Sequence, residues 1–442
     1  MFGESRFNPL FVKILLIALI TLVLLVPLGR VESLIAERAT LSQSAGARVA
    51  HGVGGPQTIG AVMLVMPITR TWSDDGKEYS ETKNYRVLAD SLDIAGKVAA
   101  ELRRSGIYTV PTFQADLHIT GSISDEVLAQ LAAPEPGVTK KLGDPMLFMA
   151  VSDPGGIRLL DGIRIGGRME PISAAMVSGL EGVSAPMPAP AAGSPRRTEF
   201  AVELAISGTG RLQFLPFAKS THVSLLSRWP NPSFSGPFSP AHAPRVAADG
   251  FSADWQVLQV NREYPQSWAD EAVSGVRIGQ SAFGVDFYQP VDAYQRNYRA
   301  IHYAVLFIAL TFLALFVWEH TIGSSLHAMQ YAMIGAALSV FYLVLLAFSE
   351  HLSFAGSYAL AASAMVILLA TYFSGVLKSR IAGFVTGTTA GVCYSLLYLL
   401  VLSEEYALLL GALSIFFLLA TLMIGTRKLD WYRVAELHRR ES

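Results

Sequence analysis

Hydrophobic positions fall into two regimes along this chain. Long apolar runs, nearly free of charge, occupy both ends, and a middle stretch from roughly Val31 to Arg299 mixes apolar and polar residues. A helix needs about 20 apolar residues to cross about 30 Å of hydrocarbon. Six runs meet that length: Leu10 to Leu28, Ile301 to Trp318, Ala328 to Ala347, Phe354 to Ser374, Ile381 to Leu402, and Tyr406 to Gly425. The middle instead shows the period of two expected of strands. "TFQADLHIT" sets Phe113, Ala115, Leu117 and Ile119 against Gln114, Asp116, His118 and Thr120, and "EFAVELAIS" repeats the pattern with Phe200, Val202, Leu204 and Ile206. "IGAVMLVMPIT", "MLFMAVS", "HVSLLS" and "DWQVLQV" read as further strands bounded by turn residues. A short helix is expected at "DEVLAQLA", capped by Ser124, and a Pro/Ala-rich loop or linker from Ser184 to Arg197. The pattern predicts a multi-pass α-helical membrane protein of six spans with a large β-rich exported domain, an antiparallel sandwich.

The first run continues into "RVESLIAERATLSQS", with helical character and no small-residue cleavage site, so it reads as an uncleaved anchor rather than a signal peptide. Lys13, near its start, is expected to snorkel to the interface. Placing the N-terminus inside puts Arg6, Lys13, Lys378, Arg380, Arg427, Lys428, Arg433, Arg439 and Arg440 in the cytoplasm, and leaves "FSEHLS" and "SEEY" outside with no Lys or Arg. The expected organisation is a cytoplasmic N-terminus at 1–9, an anchor at 10–28, a periplasmic β-rich domain at 29–300, a five-helix bundle at 301–425 and a cytoplasmic tail at 426–442. Asp292 and Gln295 have capping-box spacing where the chain re-enters the membrane after Pro290.

Composition adds limits. Only 16% of the 442 residues are charged and mean hydropathy is +0.40, against about 25% charge in soluble chains. A net charge of −1 argues against nucleic acid as a partner. The single cysteine, Cys393, lies in an apolar run, so the middle region rests on burial and not on disulfides.

Candidate chemistry is sparse. Zincin, nucleophile-elbow and P-loop motifs are missing, and no Cys/His spacing suggests a structural zinc, so no catalytic, cofactor-binding or metal residue is assigned. The topology gathers His302, Glu350, His351, Glu404 and Glu405 at one outer depth. Such a cluster can hold a cation or pass protons, or can simply mark water-facing helix ends. Glu319, His320 and His327 form a second set on the cytoplasmic side. Trp229, Phe234 and Trp255, with Phe238 and Phe251, either line a ligand loop or plug one end of a sandwich. Gly383, Gly387 and Gly391 lie four apart, a helix-packing strip within the bundle or along an oligomer seam.

The blocks "GVDFYQPVDAYQ", "FIALTFLALFVWE", "LHAMQY", "LAFSEHLSF", "YALLLG" and "TRKLDWY", with "GIYTVP", "WPNPSFSGPF" and "DGFSADW" upstream, occur in the order seen in one family. The sequence resembles the CreD inner-membrane proteins of Gram-negative bacteria. That resemblance implies a role in cell-envelope integrity and a stress regulon, and brings no established reaction or ligand. It singles out Glu319, Gln330, Glu350, His351, Asp430 and Trp431 as motif positions, while His302 stands where the pattern favours a residue such as Lys. The resulting expectation is a non-enzymatic protein of the bacterial inner membrane, its exported domain contacting membrane lipids, a cell-wall component, another envelope protein or a second copy of itself. The rival is a membrane enzyme or ion or proton transporter built on the outer Glu/His cluster.

Overall fold

The computed structural model describes residues 9–75, 77–124, 131, 133–187, 197–287, 293–322, 326–403 and isolated positions between 409 and 423. They belong to two compact units, one of residues 42–290 and one of 1–41 with 291–442. The Ser124-capped helix, the 188–196 part of the Pro/Ala-rich stretch, Pro290, Asp292, Glu404, Glu405, Asp430, Trp431 and most of the 406–425 run lie outside the described residues.

The 42–290 unit is β-rich and curls around one main apolar core. Three long strands organise it: β1 (Gln57–Asp74), β2 (Lys77–Ser105) and β3 (Tyr108–Ser124). The first part of β2 pairs with β1, and its second part with β3, so one 29-residue strand serves two layers. From Thr112 to Ser124, β3 then pairs with Arg197–Thr209. The period-two reading holds here. Phe113, Ala115, Leu117, Ile119, Phe200, Val202, Leu204 and Ile206 are all buried, and Gln114, Asp116 and His118 are exposed.

The purely antiparallel expectation does not hold. β1 pairs in parallel with Arg211–Leu215, and β2 in parallel with Ala218–Ser227. Alternation along a strand encodes which face is buried, not which neighbour it pairs with or in which direction. A parallel neighbour only requires a long crossover, and more than a hundred residues intervene in both cases. The "DWQVLQV" strand also ends early, at Leu258, and a 3-10 turn follows over Gln259–Asn261.

That turn leads into a staple on β2. Gln266 Nε2 donates to the carbonyls of Leu88 and Ala89, where β2 changes layers. Buried Arg262 donates to the carbonyls of Tyr264 and Pro265 and to the Gln266 side chain, and its guanidinium lies 4.9 Å from the Tyr264 ring centre. Burial drives the Tyr264 phenol up to about 12, and desolvation lowers the Arg262 guanidinium from its usual range.

The other unit is helical. Its elements are α1 (Pro9–Val53, which ends in the β-rich unit), α2 (Ala293–His302), α3 (Ala304–Ile322), α4 (Ala328–Ser349), α5 (Phe354–Val376) and α6 (Arg380–Leu402). Ser353 and Ser379 cap α5 and α6 by accepting from Gly356 N and Ala382 N. Among the described residues, α1, α4, α5 and α6 are long and apolar enough to cross a membrane. α3 is a further 19-residue apolar helix.

Candidate functional site

α1 is the element around which ionisable groups are organised. It runs 45 residues, about 67 Å of helix, with Pro27 inside its membrane-length apolar part. Near its start α1 carries Lys13, which donates to Oε1 of Glu319 in the last turns of α3. The other carboxylate oxygen accepts from the hydroxyl of Tyr331, in the first turn of α4, at 3.0 Å. Glu319 is 5% exposed and Tyr331 fully buried. A carboxylate in apolar surroundings is tolerated only when paired and hydrogen-bonded, and here both oxygens are engaged.

A second pair closes the other end. Arg38 Nε lies 3.4 Å from Glu350, the C-cap of α4. Twenty-five positions separate Lys13 from Arg38, about 37 Å of helix, between the hydrocarbon thickness and the full width of a bilayer. The two pairs therefore tie α1 to α3 at one point and to the end of α4 at the other. Alongside them, the buried Asn297 of α2 donates to Ser349 Oγ at 2.8 Å, and Arg296 lies 5.5 Å from the Phe354 ring centre.

Of the outer cluster expected from sequence, His302, Glu350 and His351 are among the described residues. Glu350 is held by Arg38, and His351 is exposed in the turn after α4. His302 is exposed at the end of α2, its Nδ1 2.9 Å from the Tyr298 carbonyl and its ring against that of Tyr298. No group of three or more His, Cys, Asp or Glu side chains is placed to hold a metal among the described residues. Exposed His327 caps α4: its Nδ1 accepts from Met329 N, and Gln330 accepts from His327 N.

Of the aromatic candidates, Trp229, Phe251 and Trp255 are buried, and Phe234 and Phe238 are half-buried against them. Trp255 is fully buried, and Trp229 is 7% exposed, with its indole donating to Asn231 O. Phe234 packs edge-on against Phe251 and Trp255. These rings pack together at the main core of the β-rich unit. Of the glycines, Gly383 and Gly387 face α5: a Cβ at Gly383 would meet Ala370 O at 2.6 Å, and one at Gly387 would meet Ala370 Cβ at 3.0 Å. Gly391 faces open space, so the packing strip ends there.

Sequence reasoning missed Arg38, Tyr331 and the pairing of Lys13. The signal existed: in an up–down arrangement, a cation early in the first span and an acid late in the second fall at the same depth.

The family model described as "Inner membrane protein CreD" matches residues 9–432. The chain belongs to the CreD family of inner membrane proteins. It is 32% identical to the Inner membrane protein CreD of Escherichia coli (strain K12) over 449 residues, which cover 96% of this chain and 94% of that protein. For a member of this family, the apolar helices are read as membrane-spanning.

Proposed function

We propose that this CreD-family protein supports or senses cell-envelope integrity without catalysing a reaction. Its β-rich unit lies in the periplasm and makes the contacts, six spans hold it in the inner membrane, and both termini are cytoplasmic. The distribution of Lys and Arg supports the orientation. The observation that carries the reading is the continuity of α1. One end is pinned in the bundle by Lys13–Glu319 and Arg38–Glu350. The other end is tied directly into the β-rich unit, where the Val53 carbonyl accepts from Ser207 Oγ and Gly55 N donates to Asp153 at 2.7 Å. Gly54, at φ +110°, makes the turn between helix and β1, and a Cβ there would meet Ser207 O at 2.6 Å. A helix held at both ends transmits displacement. The engagement of Glu350 by Arg38 weighs against the rival in which a free Glu350–His351 pair handles ions or protons.

The test breaks the rod while keeping its ends. Gln43 is exposed on α1 between the two anchorages, and proline in a helix interior costs about 3 kcal/mol and removes a backbone hydrogen bond. Gln43→Pro, at matched membrane abundance, is expected to fail to rescue an envelope-permeability defect in a deletion strain, while Gln43→Ala rescues. Rescue by both variants would sink the coupling reading. Loss of rescue in Glu350→Gln/His351→Ala, with Gln43→Pro active, would favour the transporter.

A further inference from the structure

The β2–β3 hairpin outruns its sheet. The parallel neighbour of β2 stops at the Ser227↔Val98 pair, and the neighbour of β3 stops at Thr209↔Thr112. Beyond them the two strands continue alone to the Ser105↔Tyr108 pair. The turn is made by Gly106, at φ +67°, with Ile107. From Leu102 to the tip the lone ribbon extends about 13 Å. A lone two-stranded ribbon is marginal in water unless something covers it.

Its composition names the cover. Residues 102–111 read "LRRSGIYTVP", with two arginines and no acid. Leu102 is 51% exposed and Ile107 44%. Arg103 and Arg104 are exposed and have no ion-pair partner among the described residues. Exposed aliphatics beside unpaired arginines match the border between acyl chains and anionic headgroups, where each part finds its solvent. The hairpin at the opposite end of β2 is a built-in contrast. Its tip carries Asp74, Asp75, Lys77 and Glu78, and no aliphatic residue.

The basic end is also the end where α1 enters. A groove of about 210 Å³ is lined by Val53, the last residue of α1, together with Ala99, Arg103, Gln114 and Arg158. It shares Ala99, Ala100 and Gln114 with a neighbouring groove of about 670 Å³ that carries Lys97, Arg228 and Arg245. The two grooves together carry Lys97, Arg103, Arg158, Arg228 and Arg245 against Glu101, Asp116 and Asp249, a net positive lining.

We infer that the tip of the β2–β3 hairpin, Leu102 to Tyr108, docks on the anionic phospholipid surface of the membrane in which the protein is anchored. Leu102 and Ile107 enter the interfacial layer, and Arg103 and Arg104 pair with headgroup phosphates. The inference requires only that the chain is membrane-anchored, and holds whether or not the domain senses the envelope.

The test uses the full chain with Cys393→Ser, reconstituted in nanodiscs and labelled with an environment-sensitive fluorophore at Ile107→Cys or, as control, at Lys77→Cys on the acidic hairpin. In discs containing phosphatidylglycerol, a bilayer-embedded quencher is expected to quench the Ile107 label at least twofold more than the Lys77 label. In phosphatidylcholine discs, or with Arg103→Glu/Arg104→Glu, that difference should vanish. An Ile107 label unquenched in every lipid overturns the inference. Quenching that is equal in both lipids and indifferent to the charge reversal overturns the assignment to anionic headgroups.

Discussion

At the scale of single residues, Glu319 carries the clearest energetic consequence. Its carboxylate is buried between Lys13 and Tyr331, so removing the cation leaves a charge with no counter-ion in a low-dielectric setting. Lys13→Met should lower bundle stability by roughly 3 kcal/mol, within the range found when one partner of a buried pair is lost. Glu319→Gln in the same chain should restore much of that, because a neutral amide can still accept from Tyr331. A double-mutant cycle followed by detergent denaturation checks this, and strictly additive effects would mean that the two side chains are not coupled. Nothing in composition marks Glu319 as special. Its importance comes from depth, and depth was legible only by aligning two spans that run in opposite directions. Arg38 was harder to foresee, since it lies ten residues past the apolar run and is recruited only because the helix does not stop.

Elements were more legible than their partners. Apolar runs located α4, α5 and α6 to within two residues at either end, because a span must satisfy its backbone within itself and its length is set by the bilayer. Strand faces were equally readable from the period of two. Strand neighbours were not, and the two parallel pairings record that loss of information. The glycine strip was readable only in part: spacing identified a small-residue face, but not where the partner helix leaves it. The structure draws that line between Gly387 and Gly391. Gly383→Leu should therefore splay α5 from α6, with at least about 2 kcal/mol of destabilisation from overpacking, whereas Gly391→Leu should be close to neutral. Thermal unfolding in one detergent distinguishes them, and equal losses at both sites would show that the helices pack along the whole strip.

At the scale of the whole molecule, each of the two units has its own reason to hold together. The β-rich unit has a continuous apolar core with buried Trp229 and Trp255, and a second cluster around Trp268. The bundle is stabilised by helices that remain helical in detergent because each satisfies its own backbone. Urea should therefore shift tryptophan emission to the red while most helical circular dichroism persists. Superimposable transitions would mean that the units unfold together. The pH dependence sharpens the expectation. The Tyr264 phenol is raised from 10.0 to about 12 by burial, so the folded state holds its proton more tightly than the unfolded state does. That contribution is complete below about pH 10 and is lost as pH rises through about 12. Two pH units correspond to roughly 3 kcal/mol at the far limit. The fluorescence midpoint should fall between pH 10 and 12, and Tyr264→Phe should flatten that decline. A midpoint that falls equally in wild type and Tyr264→Phe would assign the alkaline sensitivity to another group, and would remove Tyr264 from the staple that holds β2 where it passes between layers.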